Sequence, residues 1–252
     1  MPIIQSLDRA LTILDLFDEN HRELKITEIS ARVGLHKSTV HSLLKTLQLH
    51  RYIEQDKNGL YRLGMRLLEK GQLLLSGFDI REIAAAPMQS LSSETGQTVH
   101  LVVRDEASGV YIDKVEGRKA AIRYSRIGRR VPLHSSAVGK VLAAFMPETE
   151  LRQLLKDYVY SKHTSKTIVS EADFLAELVS VRESGLAYDR EENEPGVRCA
   201  AAPVYDHANR AAAAVSISTM AATVSEEELA ELAARMKETA EQISRGLGWR
   251  NR

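Results

Sequence analysis

The chain has 252 residues, more than one ordinary domain, so two domains with separate cores are expected. An apolar fraction of 44% excludes a disordered chain, and 34 basic against 34 acidic residues leave no formal net charge, so bulk charge indicates no polyanionic partner and local charge has to be read instead. Cys199 is the single cysteine, which excludes an internal disulfide framework, and there is no membrane-length apolar run and no basic-then-apolar start, so a soluble cytoplasmic protein is expected.

The first helix is expected from Ser6 as its N-cap, with Leu7, Ala10, Leu11, Leu14 and Phe17 forming a buried stripe at three- and four-residue spacing. A second helix, capped by Thr27, turns Ile29 and Val33 inward and ends at Gly34, where a left-handed residue can reverse the chain. The third begins around residues 36–38 and buries Val40, Leu43, Leu44 and Leu47, which sends Ser38, Ser42 and Lys45 outward with His41 on the flank. Two short helices about a glycine turn, the second showing a small polar face, have the form of a helix-turn-helix. Strand-like residues 52–55 and 60–63 flank Asp56-Lys57-Asn58-Gly59, a hairpin turn that supplies a wing. Between Lys25 and Arg66 eight basic residues face three acidic ones, an excess of five hidden by the neutral average. Basic side chains hold phosphates while other groups read base edges, so Lys37, Thr39, Arg51, Lys57 and Arg62 are assigned to the DNA backbone and Ser38, His41, Ser42 and Lys45 to base readout. The competing reading is a helical domain with a solvated charged face.

Residues 64–76 form a connecting helix too apolar to stand alone, suited to meeting a second copy and so to setting two recognition helices on a palindromic operator. Further on, a helix over 80–94 precedes strands at 98–103, 110–115 and 120–124, later strands at 186–190, 197–205 and 211–219, and a closing helix from Ser225 to Arg245. This pattern indicates an α+β chain, a winged helix-turn-helix followed by an antiparallel sheet flanked by helices. In the segment Pro132 to Lys140, Ser135 is expected to cap a helix whose first free N–H groups, those of Ser136, Ala137 and Val138, suit a carboxylate. Strand parity places Ser216 with Ser218, Asp189 with Glu191, and Val197 with Cys199, so hydroxyls, a thiol and an acid can line one concavity.

Several runs resemble the IclR-type regulators: Ser6-Leu7-Asp8-Arg9-Ala10-Leu11, Thr27-Glu28-Ile29-Ser30, Lys37 to Leu44, Tyr61-Arg62-Leu63-Gly64, Ser136 to Ala143, Asp189 to Glu192, Gly196 to Val204 and Ser216-Ile217-Ser218. The chain has His36 where that family usually carries proline and Ser42 where it often carries arginine. The resemblance covers almost the whole chain and implies a DNA-binding domain over 1–63, a linker helix over 64–78 and a GAF-like effector domain over 79–252. It further implies that N–H groups near Ala137 and Val138, with Asp189, Cys199, Ser216 and Ser218, contact a small organic acid or sugar acid, and that Leu133 is an apolar wall. The expected partners are thus double-stranded DNA, a small acid and further copies of the chain as a homodimer or homotetramer, with no membrane, cofactor, metal or catalytic residue. A repressor is the expected sense of regulation. Two rivals are a thiol-dependent enzyme built on Cys199 with an accessory DNA-binding module, and a ligand-free adaptor that binds another protein; no sequence feature puts a histidine beside the thiol.

Overall fold

The computed structural model describes residues 3–18, 20–75, 79–119 and 125–250. The strand expected at 120–124 lies outside the described residues. The chain separates into two compact units, 1–77 and 78–252.

In the first unit α1 (Gln5–Asp15), β1 (Leu24–Lys25), α2 (Ile26–Val33), α3 (Lys37–Leu49), β2 (Ile53–Gln55), β3 (Leu60–Leu63) and α4 (Met65–Leu75) follow in order. The hairpin β2–β3 is joined by β1 in a small sheet of order β1-β3-β2, with Leu24 opposite Tyr61 and Ile53 opposite Leu63. A two-residue strand leaves almost no periodicity, which hid β1 from a reading of the sequence. Its pairing also relocates the cap of α2. The chain stays extended through Lys25, whose N–H donates to Glu28 at 2.7 Å, and Thr27 lies inside the helix. Likewise α1 is entered from Ile4 rather than capped by Ser6, because the N–H groups of Leu7 and Asp8 both donate to the Ile4 carbonyl.

The core of this unit is Ile13, Leu24, Ile29, Val40, Leu44, Leu47, Ile53 and Tyr61, with Ala10, Leu14, Phe17 and Leu43 packed around it. The stripe of α3 is therefore as expected, whereas that of α1 is turned: Ile13 is buried, and Leu7 and Leu11 are more than half exposed. Gly34 adopts φ 65° and closes the turn between α2 and α3. Helix α3 starts after His36 without the family's proline.

The second unit contains α5 (Asp79–Thr95), β4 (Thr98–Asp105), β5 (Ser108–Val115), β6 (Arg130–Pro132), α6 (Ala137–Ala144), α7 (Glu148–Leu155), α8 (Glu171–Ser184), β7 (Ala187–Arg190), β8 (Val197–Tyr205), β9 (Ala211–Met220) and α9 (Glu226–Gly246). Among the described residues six antiparallel strands make one sheet of order β6-β5-β4-β9-β8-β7. One face packs on α5 and α9 through Val99, Leu101, Val215 and Ile217, with Met88, Leu229 and Met236 opposite. The other face packs on α6, α7 and α8 through Val102, Ala201 and Ala214, with Val141, Leu151, Phe174 and Leu178 opposite. Alternation along each strand divides the two cores. Ser225 and Glu228 close a capping box on α9, whose first turn holds three glutamates at the positive end of its dipole. Among the described residues no helix is long and apolar enough to cross a membrane.

Candidate DNA interface and candidate ligand cavity

On α3 the side chains of Lys37, Ser38, His41, Ser42 and Lys45 are exposed and Thr39 is half-buried. At about 100° per residue, Ser38, Ser42 and Lys45 fall within roughly 60° of one another, so they form a single outward strip opposite Val40, Leu44 and Leu47. Ser42 donates back to the Ser38 carbonyl at 3.1 Å, which leaves the hydroxyl oxygen as an outward acceptor. In the wing turn the Asp56 carboxylate accepts from the N–H groups of Leu60 at 2.8 Å and Asn58 at 2.9 Å, and the Leu60 bond chiefly holds that carboxyl below its usual range. Lys57 projects from this turn into solvent. Arg51 and Arg62, also exposed, have acidic neighbours in the same unit: Glu69 at 3.9 Å and Glu54 at 3.2 Å. Glu54 lies within the basic stretch and Glu69 just beyond it on α4, and both reduce the charge that the two arginines offer to a phosphate.

The second unit has a small, partly enclosed cavity of about 40 Å³ at the N-terminus of α6. Its position follows from the register. On the α6 side of the sheet, Val102 gives way to His100 along β4, Ala214 to Ser216 and Ser218 along β9, and Ala201 to Cys199 along β8. Cross-strand pairing aligns these polar residues, since Asp189 faces Cys199, Cys199 faces Ser218, and Ser216 faces His100. Six of the seven expected ligand contacts therefore line one cavity: Ala137, Val138, Asp189, Cys199, Ser216 and Ser218.

Leu133 is the exception. Its side chain is fully buried in the α6–α8 core and is not among the cavity-lining side chains, because β6 ends at Pro132 and the turn into α6 directs Leu133 into the apolar layer. The pairing of Asp189 with Glu191 by parity also needs correction. Strand β7 ends at Arg190 and Glu191 has φ 66°, so its carboxylate turns away to Lys166 at 2.7 Å and Arg198 at 3.4 Å.

The cap of α6 is Ser136, not Ser135. Ser136 Oγ accepts from the Gly139 N–H at 3.1 Å and donates to the Pro132 carbonyl at 2.6 Å, whereas Ser135 donates to Asn193 at 3.1 Å. The N–H groups of Ala137 and Val138, in the first turn, have no intrahelical acceptor and border the cavity. Gly139 permits this seat, since a Cβ there would lie 2.3 Å from the Pro132 carbonyl oxygen and 2.6 Å from Leu133 Cα.

His100, Tyr111, Ser125, Arg129, Asn193 and Glu194 complete the polar lining and were not found from sequence. Arg129 comes from the segment before β6. The two arginines nearest in sequence, Arg190 and Arg198, pair instead with Glu226 and Glu191. Only the alignment of His100 across from Ser216 has a local trace, the polar break in the apolar strand 98–103.

His100 is buried, with its Nε2 2.7 Å from Ser125 Oγ and its Nδ1 3.4 Å from Ser218 Oγ; burial, helped by Lys114, lowers its pKa to about 3, so the ring is neutral. Cys199 Sγ lies 3.1 Å from Ser218 Oγ, which completes a thiol, hydroxyl and imidazole chain. Burial, and next the Asp189 charge, push the thiol far above its usual range. A nucleophilic cysteine needs the opposite, a stabilised thiolate. Asp189 accepts from the N–H groups of Glu192 at 2.7 Å and Asn193 at 3.3 Å, yet burial outweighs these bonds and lifts its pKa to about 7. Burial also raises Glu194, against the pull of Arg129.

A larger open groove of about 780 Å³ runs beside β6 and α7, and several of its polar side chains are already paired. Arg104 pairs with Glu150, Arg130 with Asp105, and His134 bonds Tyr158 Oη at 2.8 Å and the Ser161 carbonyl at 3.0 Å. The small cavity, rather than the groove, brings the first-turn N–H groups of Ala137 and Val138 together with hydroxyl and carboxyl side chains.

Comparison with known proteins agrees with both halves. A family model described as the IclR helix-turn-helix domain matches residues 6–57, and one described as bacterial transcriptional regulator IclR C-terminal matches residues 72–245. The HTH-type transcriptional regulator XynR of Escherichia coli K12 is 52% identical over 250 residues, covering 99% of each chain. Among solved structures, IclR of Thermotoga maritima is 37% identical with a TM-score of 0.80, covering 98% of this chain and 100% of that one. An IclR homologue of Microbacterium hydrocarbonoxydans, solved in complex with 4-hydroxybenzoate, shares the fold at 21% identity and a TM-score of 0.82, covering 96% of this chain and 98% of that one. A winged module with a polar recognition strip, a sheet domain with a lined cavity and matches along nearly the whole length lead to one conclusion: the chain belongs to the IclR family of DNA-binding transcriptional regulators and is not an enzyme.

Proposed function

We propose that this regulator is a repressor that binds a palindromic operator and changes its affinity when a small hydroxylated monocarboxylic acid, such as a sugar acid, fills the cavity at α6. The observation that carries the reading is the distribution of charge and polarity in that cavity. The Arg129 guanidinium and the free N–H groups of Ala137 and Val138 suit one carboxylate, while Asp189, Glu194, Ser216 and Ser218 suit hydroxyls and disfavour a second carboxylate. Polar side chains outnumber apolar ones in the lining, which favours a polyhydroxylated acid over an aromatic one.

The cavity of about 40 Å³ has room for roughly three waters, whereas organic ligands occupy hundreds of Å³. Binding therefore has to widen it, and a ligand that prefers the widened form shifts the protein toward that form. We assign the transmission of this change to the connector at 64–78, where Met65 and Leu68 are more than half exposed and suit pairing with a second copy in a dimer or tetramer. The target is DNA, so the site of action is the cytoplasm. Aldonates and hydroxybenzoates titrated into the full chain by calorimetry test the reading. Binding of an aldonate, weakened at least tenfold by Arg129→Gln, is expected; no heat and no thermal shift with any of these acids would contradict it.

A further inference from the structure

Behind the cavity wall lies a buried charge cluster that the ligand-contact residues do not include. Lys140, fully buried on α6, donates to Glu192 Oε1 at 2.7 Å, the Tyr188 carbonyl at 2.8 Å and Glu177 Oε1 at 3.0 Å. Each of its ammonium hydrogens thus has an acceptor. The second oxygen of Glu192 is buried without a hydrogen-bond partner, so the lysine is the principal group that fixes this carboxylate. Glu192 in turn is tied to Asp189, for its N–H donates to the Asp189 carboxylate at 2.7 Å. The same loop is held by Thr167, which donates to the Glu192 carbonyl at 2.6 Å, and by Ser135 on Asn193. One helix, α6, therefore supplies the free N–H groups at its start and, one turn later, the cation that anchors the 189–194 loop.

We propose that Lys140 and Glu192 are a positioning pair for Asp189: the lysine holds the loop so that the Asp189 carboxyl faces the cavity, and the two opposite charges act on that carboxyl from behind the cavity wall. A buried ion pair adds little net stability over apolar residues of the same volume. Its fixed charges, however, act strongly on a third ionisable group nearby. The groups that surround Asp189 are Lys140 on α6, Glu177 on α8, Glu192 and Glu194 in its loop, Arg129 before β6, His100 on β4, Tyr111 on β5 and Cys199 on β8. His100 is neutral, and burial keeps the Tyr111 and Cys199 protons in place. Burial raises the carboxyl's affinity for its proton most, and on top of it the Glu192 charge raises and the Lys140 charge lowers that affinity. Below its midpoint Asp189 is a hydroxyl donor and above it an acceptor, so the pair sets which hydrogen-bond pattern the cavity offers. For its consequence this inference rests on the acid-binding reading above, but its first test does not.

That test is a carbon NMR titration of the full chain labelled at aspartate carboxyls, with Asp189→Asn to assign the signal. The wild-type midpoint is expected near neutrality. Lys140→Met is expected to raise it by about one pH unit and Glu192→Gln to lower it by about one, while Lys140→Arg stays near wild type. A purely structural role would loosen the loop in both variants and carry both midpoints down toward the ordinary carboxylate range. Shifts in the same direction, or a wild-type midpoint in that ordinary range, overturn the proposal. Should Lys140→Met not fold, Glu192→Gln decides by a downward midpoint with amide exchange across residues 189–194 unchanged from wild type, whereas a downward midpoint with faster exchange marks a loosened loop and overturns the proposal. Gluconate then serves as the probe in calorimetry between pH 5.5 and 8.5, with affinity expected to change with pH in the same order across the variants. Gluconate binding that is flat with pH in every chain also overturns the proposal. Failure of all aldonates to bind counts against the acid-sensing reading, while the NMR order still decides the pair.

Discussion

Replacing Asp189 by asparagine separates stability from sensing at a single position. The folded chain keeps the Asp189 proton up to about pH 7, whereas an unfolded chain loses it near 3.8. The carboxyl therefore favours folding fully below pH 3.8, and that contribution is lost as the pH rises through 7. A side-chain amide in its place would accept the same two backbone N–H groups with no buried charge, so Asp189→Asn is expected to stabilise the protein at pH 8 by about 1–3 kcal/mol and to have little effect at pH 4. Urea unfolding at the two pH values measures this, and equal effects at both would contradict the burial argument. His100 acts in the opposite sense. Its folded value of about 3 against 6.5 means that its contribution is present above pH 6.5 and is lost as the pH falls toward 3. His100→Gln is expected to flatten the acid side of the stability profile.

At the scale of elements, α6 and α3 carry the two functions in the reading proposed above. Gly139→Ala places a methyl against the β6 turn and is expected to cost about 1–3 kcal/mol in chemical unfolding while displacing the Ala137 and Val138 N–H groups from the cavity. On the DNA side, Lys37→Ala or Lys57→Ala is expected to weaken binding equally across sequences and to reduce the salt slope by about 1, whereas His41→Ala alters preference among operator variants by about 1–3 kcal/mol. Equal loss on all sequences with His41→Ala would remove that residue from base readout. Much of this was legible in the sequence where periodicity is local. The α3 stripe, the wing turn and the Ser216 and Ser218 pair follow from spacing alone. What spacing leaves open is register between distant strands, which is why His100, Tyr111 and Arg129 emerged only from the fold. Caps slipped by one or two residues, at α6 because Asn193 takes Ser135 and at α2 because the chain stays extended through Lys25. Helices α7 and α8 went unassigned although Ser170 and Gly185 bound the latter with an N-cap and a left-handed C-cap.

For the molecule as a whole, the two units divide recognition and sensing. The basic excess lies in residues 25–66, while the buried charges are collected around α6, so net neutrality of the chain conceals two electrostatic environments. Coupling between them needs no more than about 1–3 kcal/mol to alter DNA affinity 5- to 150-fold. A cavity of about 40 Å³ that a bound acid has to widen is, in the proposed reading, one side of such a two-state system. The most direct measurement is fluorescence anisotropy of the full chain on DNA flanking its own gene, at fixed salt, with and without a saturating aldonate that calorimetry shows to bind. A change in dissociation constant within that 5- to 150-fold range is expected, together with its loss in Arg129→Gln. Identical affinity with and without the bound acid would contradict an acid-responsive regulator.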